Sequence, residues 1–476
     1  MAGGFSLYAR GDTSGAIKTI PKSTTNFYPG IYAKIGAFMV GNATYFPTGP
    51  YSPSDTTSVY GQLANNTWFR GILWSIGWGD IETSEGVYDW GDTEQLLNMV
   101  GNPTYDGNIY QRSGLTSAQN KKVLFLLDTK TFDPTDAVVD HILPAYLQAT
   151  GTAYTNGMVR YHRLVGYEST QEQTGTNTQG YHLRWQYFRN GLSGNNAAGQ
   201  PIYRLRDRFQ AFLDALNTRF KDHPGFAGIV MTEPIPVADN IVDIKYSVPS
   251  PDYDRDQFFD GRLQWLKNIK NIFTAHPIIE MPTFDNAYMQ DMTNNNAPDG
   301  CVVNALGMGG PNFHNGTALQ SIVNARNYAA DKVVICNQIQ GLDQDSRTGY
   351  YTRPNTAQNP APNDLWNFPS APTTVIENPN FNASGQLISQ DTPDFQFIMD
   401  KLIWLKTNIA IYQYLINDNT SRTTIGGVVG ARYNWNRFRD DMNGAKGTAY
   451  ISQNTGASVK NDPNGGMITT VPQFLV

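Results

Sequence analysis

Short apolar runs, each followed by a loop and then a helical pattern, recur along the chain. The clearest are Gly71–Ser75, Lys122–Asp128, Gly225–Thr232, Pro277–Pro282, Gly300–Leu306, Lys332–Asn337 and Asn408–Ile416, with a weaker one near Tyr32–Met39. Alternation of this kind predicts parallel β/α units. Eight strands in one series is the count of a (β/α)8 TIM barrel. The helices between them carry the matching period. Phe209, Phe212, Leu213, Leu216 and Phe220 fall at i, i+3, i+4, i+7 and i+11, one apolar stripe. Phe259, Leu263, Leu266, Ile269 and Phe273 make a second, and Phe395, Ile398, Leu402 and Leu405 a third. Each stripe precedes a strand run, as an outer-ring helix should, and is read as core packing.

Two insertions interrupt this rhythm. Residues 133–201 come after the third strand run and hold Tyr161, His162, Tyr167, Tyr181, His182, Trp185 and Tyr187; residues 341–392 come after the seventh and are rich in Pro, Asn and Gln. Loops after barrel strands form the active face. Aromatic and amide side chains there suit a sugar cleft, because sugar rings stack on aromatic faces and amides bind hydroxyls. The expected organisation is an N-terminal accessory segment over 1–50 that includes the weak first strand, a barrel over 51–420 and a C-terminal accessory segment over 421–476.

Composition narrows the function classes. The chain has 476 residues, room for about three domains or one large barrel. Its 35 Lys and Arg against 41 Asp and Glu leave a net charge of −6, with no basic patch, which argues against a nucleic-acid partner. No apolar stretch approaches the ~20 residues needed to span a bilayer, so no membrane insertion is expected. The start, MAGGFSLYARGDTSG, lacks the apolar segment of a secretory signal. The expected location is therefore the cytoplasm, or a virion or extracellular site reached by lysis. Two cysteines, Cys301 and Cys336, cannot make a disulfide framework or a thiolate zinc site. Charged residues are only 16% of the chain, while asparagine, at 43 residues, fills much of the gap. With 44 Gly and 27 Pro, this suggests long hydrogen-bonded loops on a rigid scaffold. No zinc-protease, Walker, Rossmann or calcium-loop motif occurs, and no cofactor is expected.

The most informative segment runs Arg219-Phe220-Lys221-Asp222-His223-Pro224-Gly225-Phe226-Ala227-Gly228-Ile229-Val230-Met231-Thr232-Glu233-Pro234. A helix ends at a charged, Pro-containing turn, an apolar strand comes next, and a glutamate locked by the adjoining proline sits at its carboxyl end. A carboxylate there points into a barrel mouth, where partial burial suits it to acid/base work.

This segment resembles the fourth strand of the large (β/α)8 clan of retaining glycoside hydrolases, the cellulase and β-galactosidase type, whose motif there is Asn-Glu-Pro. A second resemblance is Trp78-Gly79-Asp80-Ile81-Glu82, continuing through Thr83-Ser84-Glu85-Gly86-Val87-Tyr88-Asp89-Trp90 ahead of a helix over Asp92–Val100. The resemblance implies that Glu233 is the general acid/base. It makes Trp78 either a sugar platform or a core residue of the mouth, while Glu82 and Glu85 are read as tying down the loop. Two positions depart from the clan. Thr232 stands where the clan has the Asn that contacts the sugar. At the end of the seventh strand, where the clan places its nucleophilic Glu, the chain has Gln338 or Gln340. A neutral amide cannot form a glycosyl-enzyme ester. Glu280, Asp343 and Asp345 are the candidate replacements, Glu280 the best placed, although it equally suits a mouth ion pair. An inverting reaction is the other route.

His314, Gln338, Tyr412 and Tyr414 complete the set of candidate substrate contacts. For His314 the alternative is a locally bonded loop residue, and only one face of the Tyr412–Tyr414 strand can turn inward. The expected function is hydrolysis of a polysaccharide or complex glycan. The alternative is a non-catalytic carbohydrate-binding or structural virion protein, phage-borne, on a degenerate glycosidase barrel. The expected partners are a carbohydrate and, in the alternative, other virion components or copies of the chain.

Overall fold

The computed structural model describes residues 28, 30–35, 69–106, 121–131, 139–147, 158–161, 180–183, 185–189, 202–232, 255–280, 301–305, 335–339, 409–413, 424–425, 428–429 and 440–444. Eight of its strands belong to one sheet. They are β1 (Gly30–Ile35), β2 (Phe69–Gly77), β3 (Lys122–Asp128), β4 (Phe226–Met231), β5 (Ile278–Glu280), β6 (Cys301–Ala305), β7 (Ile335–Ile339) and β8 (Ile409–Gln413). Every neighbouring pair runs parallel, and the pairing returns from β8 to β1. The result is a curled, parallel α/β sheet, and each of the eight strand runs read from the sequence contributes one strand. Boundaries moved where pairing sets them. β7 begins at Ile335, opposite Val303, and reaches Ile339, opposite Tyr412, rather than stopping at Asn337.

The apolar runs became strands because both their faces are covered. Ile72, Leu73, Leu124, Phe125, Ile229 and Val230 have no exposed surface. Three long helices do the covering on the outside: α2 (Gly91–Gly101), α4 (Ile202–Phe220) and α5 (Arg255–Ile272). The single-turn helices α1 (Trp78–Ile81) and α3 (Val139–Ile142) stand before and after α2 in the chain. The predicted stripe Phe209, Phe212, Leu213, Leu216 and Phe220 is wholly buried, and Phe220 meets Phe125 of β3 edge-on at 5.8 Å. Of the second stripe, Leu266, Ile269 and Phe273 are buried; the third lies outside the described residues. No helix among the described residues is long and apolar enough to cross a membrane.

Backbones approach closely where β4 meets β5. Gly228 has φ +141°, and a Cβ built on it would lie 2.6 Å from the Pro277 carbonyl oxygen. Only glycine satisfies both conditions.

The first insertion contains structure that the sequence reading treated as loop. Met158–Tyr161 and Gly180–Leu183 pair there, Lys130–Thr131 just ahead of the insertion completes a three-stranded antiparallel sheet, and Trp185–Phe188 form a 3-10 turn. The cysteines are out of register: Cys301 pairs with Ile278, while Cys336 stands opposite Asn304. Three residues of strand separate them along the sheet, ~10 Å, beyond disulfide reach. Cys336 is a buried free thiol.

Candidate active site

Parallel strands bring all their carboxyl ends to one side, so the mouth near the fourth strand is built from the residues just beyond β2, β3 and β4. Thr232 is its best-anchored member. Its N–H donates to the Leu127 carbonyl (3.3 Å). Its hydroxyl accepts from the Thr129 N–H (3.1 Å) and is hydrogen-bonded to the Thr129 hydroxyl (2.7 Å). Its carbonyl accepts from Nη2 of Arg262. Thus each backbone and side-chain polar group of Thr232 has a partner, and the residue is buried. Where the resembled clan presents an amide to a sugar, this hydroxyl is turned into the junction between β3 and β4.

Arg262 comes from α5 and is completely buried. Besides the Thr232 carbonyl it donates to the Thr129 hydroxyl (3.3 Å), and its guanidinium lies 4.5 Å from the centre of the Trp185 ring. A buried cation needs such partners to offset lost hydration. Trp185 itself is fully buried against Phe188, Phe209 and Arg262. Its ring belongs to the core, which corrects its assignment to a sugar-facing loop.

Beside this junction stands a line of groups that the sequence reading missed. The Ser75 hydroxyl donates to Asp128 Oδ2 at the end of β3. The same oxygen lies 3.0 Å from Nε2 of His141, and Nδ1 of His141 meets the Asp80 carboxylate. Burial disfavours the charged imidazole, but the hydrogen bonds and charges of Asp128 and Asp80 outweigh it and push the pKa up to about 10. His141 is therefore an imidazolium donating from both nitrogens, and cannot serve as a base near neutral pH. The line is graded: Asp128 is nearly buried and Asp80 half exposed. Contacts across 61 and 13 residues leave no local signal in the sequence. No group of three or more His, Cys, Asp and Glu among the described residues suits a metal ion.

The Trp78–Trp90 motif folds into a self-contained turn and hairpin. Glu82 is fully buried and accepts from Trp78 Nε1 (2.6 Å), the Gly86 N–H (2.8 Å) and Arg208 of α4. Arg208 Nε in turn donates to the Tyr146 hydroxyl (3.0 Å), and Glu85 stands 3.9 Å from the same nitrogen. Both glutamates thus tie down the loop, as read from the sequence. Trp78 is 2% exposed, with its ring against Phe209 and Phe212. Of the two readings left open for Trp78, this is the core residue and not the sugar platform.

The remaining candidates divide by what is described. Glu280 is the last residue of β5 and pairs with Met231; Gln338 pairs with Ile411, and Tyr412 with both Ala33 and Ile339. These are strand positions, not side-chain contacts. Glu233, His314, Gln340, Asp343, Asp345 and Tyr414 lie outside the described residues.

No protein-family model matches the chain, and no curated protein matches it in sequence. Among solved structures it is similar to an exo-β-1,4-mannosidase from Opitutaceae bacterium strain TAV5, with a TM-score of 0.39 and 9% identity over 83% of this chain and 54% of that one. It is also similar to a cold-adapted β-galactosidase from Rahnella sp. R3, with a TM-score of 0.33 and 12% identity over 83% of this chain and 51% of that one. The chain spans about half the length of each. Neither likeness supplies a residue role.

Proposed function

We propose that this chain is a glycoside hydrolase-like protein acting on a polysaccharide or complex glycan, with Glu233 as general acid/base on a complete (β/α)8 barrel. The reading is supported above all by Thr232. That residue is anchored at the carboxyl end of β4 by Leu127, Thr129 and Arg262, and one peptide bond joins it to Glu233. Barrels of this type carry their chemistry at that end of their strands. In this reading the barrel occupies 51–420 together with β1 from the first segment, and 421–476 is accessory.

Glu280 is the proposed second carboxylate. It ends β5, the strand beside β4, opposite Met231 and two residues before Glu233 in register. Carboxyl groups ~5–5.5 Å apart would make the reaction retaining, and ~6.5–9.5 Å inverting, with water between them.

Gln338 on β7 favours the second reading, a non-catalytic carbohydrate-binding or virion protein on the same barrel, because it carries no carboxylate where the clan's nucleophile belongs. A glycan screen scoring binding and released reducing ends, on wild type and Glu233→Gln, separates the two. Release lost in the variant supports hydrolysis. Binding without release, equal in both proteins, supports the second reading and removes the acid/base role of Glu233.

A further inference from the structure

The line formed by Ser75, Asp128, His141 and Asp80 takes no part in the roles proposed for Glu233 and Glu280. We propose that Asp128 is a substrate-binding residue of the mouth, its carboxylate accepting a hydrogen bond from a sugar hydroxyl. The proposal rests on the reading of the mouth as a glycan site and adds a contact at the edge between β2 and β3.

Alternation along the strands places the group. Phe125 meets Phe220 of α4 on the outer side of β3, so Leu126 and Asp128 belong to the inner face of the curled sheet. Ser75 stands opposite Leu126, and Gly77 opposite Asp128. The Ser75 hydroxyl is therefore on the inner face as well, where it reaches Asp128. The single turn α3 closes over the same edge. A Cβ on Gly77 would overlap both the backbone and the ring of His141. Glycine there lets the imidazole come down onto the strand ends and stand 3.0 Å from Asp128.

Both of these contacts go to one oxygen, Oδ2. Oδ1 takes no hydrogen bond among the described residues. It is not one of the buried polar atoms that lack a partner, so solvent reaches it, and the side chain keeps 14% of its surface exposed. Asp128 is thus fixed in direction through one oxygen while the other stays open at the mouth. His141 spends both ring nitrogens inside the line, on Asp128 and Asp80, and offers no donor to a ligand. A carboxylate oxygen only accepts, so its partner must donate. A sugar hydroxyl does, and a hydrogen bond to a charged acceptor is about twice as strong as one between neutral groups.

The test measures binding of methyl β-D-glucoside, methyl β-D-mannoside and methyl β-D-galactoside to the full chain by ligand-observed NMR titration. Their monodeoxy forms, one for each hydroxyl, are titrated beside them. With wild type, loss of one particular hydroxyl is expected to weaken binding about tenfold or more. Asp128→Ala should bind the parent sugar about tenfold more weakly, and that same deoxy form should then lose nothing further, because the partner of the missing hydroxyl is gone. A purely structural Asp128 would weaken parent and deoxy sugars alike. A ratio of parent to deoxy affinity unchanged from wild type, for every deoxy form, overturns the proposal. If Asp128→Ala does not fold, Asp128→Asn keeps the size and removes the charge, and an undiminished deoxy penalty there overturns it equally. Wild type that binds a glycan in the screen but none of these glycosides also overturns it. A screen with neither binding nor release removes the glycan reading itself, so the two failures are distinguishable.

Discussion

Arg208 and Glu82, 126 residues apart, meet in a buried ion pair that fastens helix α4 to the turn after β2. Glu82 has no exposed surface, and Trp78 and the Gly86 amide supply its other hydrogen bonds. Removing one partner leaves an uncompensated buried charge. Arg208→Met is expected to cost about 3 kcal/mol of stability. Denaturant unfolding of both single variants and of Glu82→Met/Arg208→Met checks this: the double variant should lose less than the sum of the singles, and strict additivity would contradict the pairing.

His141 makes stability depend on pH in a defined direction. Its folded pKa, about 10, lies above the ordinary histidine value of 6.5. The stabilisation is therefore fully present below about pH 6.5 and is lost as pH rises through 10. His141→Gln is expected to cost about 2 kcal/mol at pH 6. The gap to wild type should close by about pH 11 in unfolding curves taken across this range.

Lys122 acts in the opposite sense. Burial, with Arg70 nearby, lowers its pKa to about 8, although its ammonium donates to the Pro224 carbonyl (2.5 Å) and lies 4.0 Å from the centre of the Tyr28 ring. The folded protein releases this proton before the unfolded chain does, so stability rises between about pH 8 and 10.5. Lys122→Met should abolish that rise. Comparing its pH profile with that of His141→Gln separates the two overlapping contributions.

Gly228 admits no side chain. Gly228→Ala would place a methyl 2.6 Å from the Pro277 carbonyl at a φ of +141°. Strain and overlap together should cost about 3 kcal/mol or more, read as a lower thermal midpoint. An unchanged midpoint would mean that β4 and β5 can separate freely.

Among the residues that never meet in sequence, Arg262, Trp185, Thr129 and Thr232 are the most consequential. A guanidinium 30 residues beyond its carbonyl acceptor and 133 beyond its hydroxyl acceptor belongs to no periodic pattern. The same holds for His141 between Asp80 and Asp128. Trp78, open between platform and core, and Trp185, in the insertion read as suiting a sugar cleft, differ from surface aromatics only in what covers them: Phe209 on α4 approaches both rings.

Hydrophobic burial acts over neighbouring residues, so its period is written locally. That is why the eight strand runs, the stripe from Phe209 to Phe220 and the helix after Trp90 are all legible along the chain without any knowledge of contacts. Glu82 is legible too, because its hairpin partners lie within four residues in sequence. Strand pairing and helix packing decide instead which polar groups share one end of the strands, since those groups come from β2, β3, β4, α3 and α5 and acquire partners only when the strands align. A side chain's role at the mouth is set by what lies across from it, and that is a property of the tertiary fold rather than of any one segment.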